Sequence, residues 1–150
     1  MSGPVKIDGG VHVDARGAVS FVNGCSIAEA KRFYLVAQTP ENPVRAWMGH
    51  RFERKWFVPV SGRTTLVLRK LLLAADGTAA MDGRCEIFPL DAASPCAIAV
   101  PAGYCSGFRS DTPHAKVLAF SDKTLDEAAG DMVRFDKDDG FDWKRLEATR

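Results

Sequence analysis

Arg45-Ala46-Trp47-Met48-Gly49-His50-Arg51-Phe52-Glu53-Arg54-Lys55-Trp56-Phe57, continuing as Val58-Pro59-Val60-Ser61-Gly62, is the stretch whose reading decides the fold. It interleaves Arg45, Arg51, Arg54 and Lys55 with His50, Glu53 and the large rings of Trp47, Phe52, Trp56 and Phe57, then runs into an apolar segment. A surface loop has no use for so many Trp and Phe, and a buried strand cannot hold so many charges unless they share a polar cavity. The stretch therefore reads as the wall of a pocket carried on β-strands. Period-two alternation puts Met48 and His50 on one face, with Phe52 next in phase.

Working outward, strands are expected over 57–60 and 64–73, around the turn Ser61-Gly62-Arg63. Upstream, 31–37 reads as a strand stopped by Thr39-Pro40-Glu41-Asn42-Pro43, where two prolines forbid pairing. Residues 5–22 alternate loosely around Asp8-Gly9-Gly10 and Asp14-Ala15-Arg16-Gly17, which predicts strand, turn and strand, and 27–31 has room for one helical turn. Downstream, 85–90 and 96–100 read as strands, Pro101-Ala102-Gly103 as a turn, and 115–121 as the last clear strand. From Asp122 the composition becomes charged, with Leu125, Met132, Val133, Phe135, Phe141 and Trp143 spaced irregularly, which predicts a short C-terminal arm with some helix, packed back through its aromatics. Roughly eight to ten short strands with little helix is the pattern of an all-β sandwich or barrel, and a jelly roll fits it first.

The 150 residues form one expected domain, 1–150, with 46% apolar and 26% charged residues, as in an ordinary globular chain. A formal charge of +1 excludes binding to nucleic acid through net charge and leaves room for a local basic pocket. The opening Met1-Ser2-Gly3-Pro4 lacks the marks of a secretory leader, and no apolar run is long enough to span a membrane. Cys25, Cys85, Cys96 and Cys105 show no metal-type or redox-type spacing, so free thiols in a reduced, cytoplasmic protein are expected.

The three histidines can be weighed singly. His12 and His114 sit beside turns, where solvated histidines are common. His50 has two open readings: a core-facing ring satisfied by Glu53 or a carbonyl, or a general base that touches substrate. His50 and Glu53 are two metal ligands at most, so neither a metal nor any other cofactor is expected. Arg32, Arg45, Lys55 and Arg109 offer cations for a phosphate or an oxyanion, whereas Arg51 and Arg54 read as solvated strand-edge charges. Tyr34 is either a proton donor or a core tyrosine. Trp47 and Tyr104 either stack on a ring of the substrate or cap the barrel.

Five segments, in order, resemble a known family: Asp14-Ala15-Arg16-Gly17; Lys31-Arg32-Phe33-Tyr34; Arg45-Ala46-Trp47-Met48-Gly49-His50; Val60-Ser61-Gly62; and Val100-Pro101-Ala102-Gly103-Tyr104-Cys105-Ser106-Gly107-Phe108. They are similar to segments of the cupins related to dTDP-4-dehydrorhamnose 3,5-epimerase and the dTDP-sugar 3,4-ketoisomerases. Asp136, Phe141 and Trp143 resemble the epimerase ending, so the resemblance covers nearly the whole chain. It implies a double-stranded β-helix, usually a homodimer, that binds a dTDP-4-keto-6-deoxy sugar and moves protons next to the ketone without a metal, in deoxysugar or cell-surface polysaccharide biosynthesis. On this resemblance His50 matches the second histidine of the ketoisomerase His-x-His pair, Tyr34 the ketoisomerase strand tyrosine and Asp136 the carboxylate that orients a histidine; an enzyme built this way would use His50 as base, Tyr34 as acid or orienting group and Lys55 with Arg45 as charge stabilisers. Arg32, Trp47, Tyr104, Ser106 and Arg109 complete the expected substrate contacts.

The sequence departs from the family pattern at two places. Met48 stands where the epimerase base is expected, and Ser106 where the epimerases carry a histidine. Three readings follow: a divergent isomerase or epimerase using His50; a pocket that binds a sugar nucleotide without turnover; or a cupin holding a small carboxylate. The family also implies a first strand, residues 5–13, that crosses to a partner.

Overall fold

The computed structural model describes residues 2–149. Two five-stranded antiparallel sheets face each other as a jelly roll, which is the fold class the sequence predicts. In chain order the strands are β1 (Val5–Asp8), β2 (Gly10–Asp14), β3 (Gly17–Phe21), β4 (Arg32–Val36), β5 (Val44–His50), β6 (Lys55–Ser61), β7 (Arg63–Leu73), β8 (Ala79–Asp91), β9 (Cys96–Val100), β10 (Tyr104–Ser110), β11 (Lys116–Ser121) and β12 (Met132–Arg134). A single helical turn α1 (Leu125–Ala128) and a 3₁₀ segment (Trp143–Thr149) complete the chain. One sheet has the order β1-β9-β6-β11-β4, the other β12-β5-β10-β7-β8, and β2 pairs only with β3.

Apolar residues fill both faces of the second sheet. Leu66 and Leu68 of β7 meet Phe57, Ile98, Phe108 and Val117 between the sheets. Val67 and Leu71 lie in a separate cluster with Trp47, Cys105, Trp143 and Leu146. That second cluster exists because the C-terminal arm folds back over the outer face, so β7 reads Leu66-Val67-Leu68 as a continuous apolar run rather than an alternation. Arg109 ties the arm down, donating from Nη1 to the Trp143 carbonyl at 2.7 Å and from Nη2 to that of Leu146 at 3.2 Å. Arg69 does the same at the Asp139 carbonyl, 2.6 Å away, with its guanidinium over the Trp47 ring.

Several elements differ from the sequence expectation. β10 is a central strand, yet Cys105-Ser106-Gly107 interrupts the apolar pattern that announces one. Gly107 is small because a Cβ there would lie 2.8 Å from the Trp143 ring. β8 runs from 79 to 91 rather than 85 to 90 and carries Pro89, which an edge strand tolerates. Residues 5–8 pair with β9 of the same chain, at the edge of the first sheet. Residues 27–30 form a turn closed by the Ala30 N–H on the Ile27 carbonyl. All four cysteines are free, and burial pushes the Cys105 thiol up to about 12. Among the described residues no helix is long and apolar enough to cross a membrane.

Candidate active site

Strand register brings the polar groups together. Ser121 of β11 pairs with Arg32 of β4 on one side and Lys55 of β6 on the other, and one step inward Ala119 pairs with Tyr34 and Phe57. Period two then turns Arg32, Tyr34 and Lys55 toward the facing sheet together. On that sheet a register shift leaves Trp47 opposite no residue of β10, since Ser106 pairs with Met48 and Gly107 with Ala46. The extra residue resets the alternation. Arg45, Met48 and His50 reach the cavity, and the Trp47 ring meets the arm.

The cavity has a volume of about 820 Å³. Its floor includes Tyr34, Met48, His50, Glu53, Lys55 and Ser106, and Leu125, Ala128, Ala129 and Gly130 roof it. His50 is 6% exposed, Lys55 6% and Glu53 2%. His50 Nδ1 lies 3.0 Å from Glu53 Oε1. The pair is within ion-pair distance but does not have hydrogen-bond geometry. Nε2, on the far side of the ring, has no protein partner. Glu53 Oε2 accepts Arg32 Nη2 at 2.8 Å and the Ser121 hydroxyl, with Lys55 Nζ 3.8 Å away. Burial alone raises the Glu53 carboxyl, but its contacts with His50 and Ser121 and the charge of Lys55 outweigh burial and hold it at about 2. Glu53 is thus a fixed anion behind the imidazole.

Lys55 Nζ donates to the Tyr34 hydroxyl at 2.5 Å and lies 5.0 Å from the centre of its ring, with Arg32 5.3 Å from it. A cation and a phenol therefore share the cavity with a free imidazole nitrogen. His50, Glu53 and Asp131 place ligand atoms within 4.8 Å of one another, a spacing open to a cation. The two carboxylates already face Arg32, Lys55 and backbone N–H groups, so the cluster is charge-balanced without one.

Not every expected residue arrives here. Arg45 reaches the cavity and has no ion-pair partner among the described residues. Asp136 is exposed, accepts the Asp138 N–H at 2.9 Å and does not line the cavity. Trp47 is among the residues that line the cavity, and its ring stacks among Phe141 and Trp143 with its indole N–H on the Lys137 carbonyl, so it also holds the arm. Arg109 is likewise held by the arm and by Asp111, 2.8 Å away. Tyr104 packs on the core beneath Gly3 and does not line the cavity. His12 pairs with Asp14 on the surface. Arg54 is bound to Asp122 and Glu29 and stacks on Trp56, while Phe52 is 68% exposed.

Sequence reading missed Ser121, Asp131 and the rim cations Arg134 and Lys137. The only available signal for the rim was that Arg134 and Lys137 flank the Phe135 of the arm.

No protein-family model matches the chain, and no curated protein matches it by sequence. Solved structures do. A 3'-monoepimerase from Streptomyces bikiniensis in complex with dTDP-quinovose is similar with a TM-score of 0.72 at 19% identity, over 89% of this chain and 70% of that one. A dTDP sugar isomerase from Desulfovibrio desulfuricans gives 0.72 at 16% identity, over 95% and 91%. A TDP-quinovose 3,4-ketoisomerase from Campylobacter jejuni gives 0.66 at 16% identity, over 90% and 95%. The chain shares their fold.

Proposed function

We propose that the chain is an isomerase or epimerase that moves a proton next to the ketone of a dTDP-4-keto-6-deoxy sugar. The observation that carries this is the buried His50 Nε2, free of protein partners, in one cavity with the Lys55–Tyr34 pair. His50 Nε2 takes the proton from the carbon beside the ketone, and the electron pair moves to the carbonyl oxygen. Lys55 and the Tyr34 hydroxyl stabilise the resulting enolate, as preorganised donors do best in a site shielded from water. The ionised Glu53 stabilises the imidazolium, and Tyr34 or His50 returns a proton to carbon. Met48 and Ser106 shape the wall and supply no base.

Arg45, Arg134 and Lys137 at the cavity rim supply the positive charge that a diphosphate needs. A volume of about 820 Å³ suits a sugar nucleotide better than a small carboxylic acid. The protein acts as a homodimer in this reading. The β2–β3 ribbon is paired only with itself, a form of marginal stability alone, and Phe33 and Leu35 of β4 are 70% and 58% exposed. The physiological setting is cytoplasmic deoxysugar supply for a cell-surface polysaccharide. Incubation of the wild-type chain with dTDP-4-keto-6-deoxyglucose in deuterated water, followed by proton NMR, tests the chemistry. Loss of a proton signal at a carbon adjoining the ketone is expected. Absence of exchange with this and related keto-sugar nucleotides would sink the proposal.

A further inference from the structure

The group that fixes the base lies far from it in sequence. Asp131 is 5% exposed and follows the roof segment that ends at Gly130. Its Oδ1 accepts the backbone N–H groups of Arg51 at 2.7 Å and Phe52 at 3.1 Å. Its Oδ2 accepts those of Phe52 at 3.3 Å and Glu53 at 3.1 Å. One carboxylate thus holds the whole turn that joins His50 to Glu53, and Oδ2 lies 3.8 Å from His50 Nδ1. The other end of the roof is tied by a Thr124–Glu127 capping box whose glutamate accepts Lys31 Nζ at 2.9 Å, just before β4. Capping a turn needs only one acceptor. A buried anion that gathers three consecutive N–H groups beside an imidazole is an expensive way to close a loop unless its charge is used.

We infer that Asp131 is a positioning residue that locks the His50–Glu53 pair and biases the His50 ring, linking the cavity roof to the base. The inference rests on the proton-transfer reading above for its catalytic consequence, but its geometry stands apart from it. Asparagine has one acceptor oxygen in place of two and turns an NH₂ donor toward N–H groups, so Asp131→Asn leaves at least one amide unsatisfied and removes the charge. The groups around the ring are Glu53 on the same turn and Asp131 behind it, with Lys55 from β6 and Arg32 and Tyr34 from β4 in the same cavity.

The test is NMR on the full chain, where His50 is one of three histidines. In Asp131→Asn the His50 ring resonances should move from their wild-type positions as the ring loses its fixed setting, and amide exchange at Arg51, Phe52 and Glu53 should quicken about tenfold or more. The dTDP dissociation constant should stay within about twofold, and turnover, where the wild type shows it, should lose about 100-fold in kcat with KM unchanged. A wild type that turns over no keto-sugar nucleotide defeats the functional reading, while the His50 ring resonances and the amides still decide on Asp131. A folded Asp131→Asn with unchanged His50 ring resonances and amide protection overturns the inference, as does a loss of dTDP binding that matches the loss of kcat. Should asparagine prevent folding, Asp131→Ser, with a short uncharged acceptor, is read on the same measurements. Failure of both to fold shows a purely structural role and overturns it too.

Discussion

Glu53→Gln is the most informative single change to the buried charge cluster. The side chain has no solvent exposure, faces Arg32 at 2.8 Å and Lys55 at 3.8 Å, and is held at about 2 against a usual 4.5. Because the folded value is depressed, the stabilisation is fully present above pH 4.5 and is lost as pH falls from there toward 2. A gap of about 2.5 units at about 1.4 kcal/mol each gives on the order of 3 kcal/mol. That agrees with the roughly 3–5 kcal/mol lost when one partner of a buried pair is removed. Glutamine keeps the shape and the Ser121 contact while leaving Arg32 and Lys55 uncompensated. Urea unfolding at pH 7, with a slope of about 2 kcal/mol per molar, should show the variant midpoint lower by about 1.5 M. Repeated at pH 5, 4 and 3, the difference from wild type should shrink steadily. A difference that stays constant with pH, or none at pH 7, would refute the assignment of Glu53 as the ionised centre of the cluster.

Three further changes probe other parts of the molecule. Arg109→Ala frees the Trp143 and Leu146 carbonyls and should cost about 2–4 kcal/mol, with trypsin cutting at Lys144 and Arg145 faster than in wild type; equal cleavage rates would show that the arm is held otherwise. Gly107→Ala puts a methyl 2.8 Å from the Trp143 ring and 2.9 Å from Ala46 Cβ, so a loss of about 1–3 kcal/mol in urea unfolding is expected, and no loss would mean the arm yields freely. Arg45→Ala with Arg134→Ala should weaken dTDP about tenfold or more and flatten the dependence of binding on salt, measured by calorimetry, whereas unchanged affinity would place the diphosphate elsewhere.

The fold was legible because turns and alternation are local. Gly62 and the prolines at 40 and 43 mark strand ends without help from the rest of the chain. β10 was not legible, because its outward residues are small to make room for an arm that arrives some 40 residues later, and only contact with Trp143 explains Gly107. The pocket wall was legible in the charges of 45–57, and of the three histidines His50 is the one that lines the cavity. The stacking of Trp47 on the arm could not be foreseen, since it follows a one-residue register shift that leaves no mark in the sequence. Arg109 read as a free cation for the same reason: the groups it binds are carbonyls, which every residue has. Asp136 took the orienting role by analogy of position, while the carboxylate beside the imidazole is Glu53, three residues from His50. Asp131 was invisible because its partners are backbone amides some 80 residues earlier.

The central claim is that His50 is the base. Its most direct test is the rate of solvent deuterium incorporation into dTDP-4-keto-6-deoxyglucose by His50→Gln and wild type, at equal occupancy set by dTDP affinity. The account predicts a loss of roughly 10²–10⁴-fold with binding retained. Exchange at the wild-type rate in His50→Gln would contradict it and move the base to another group in the cavity.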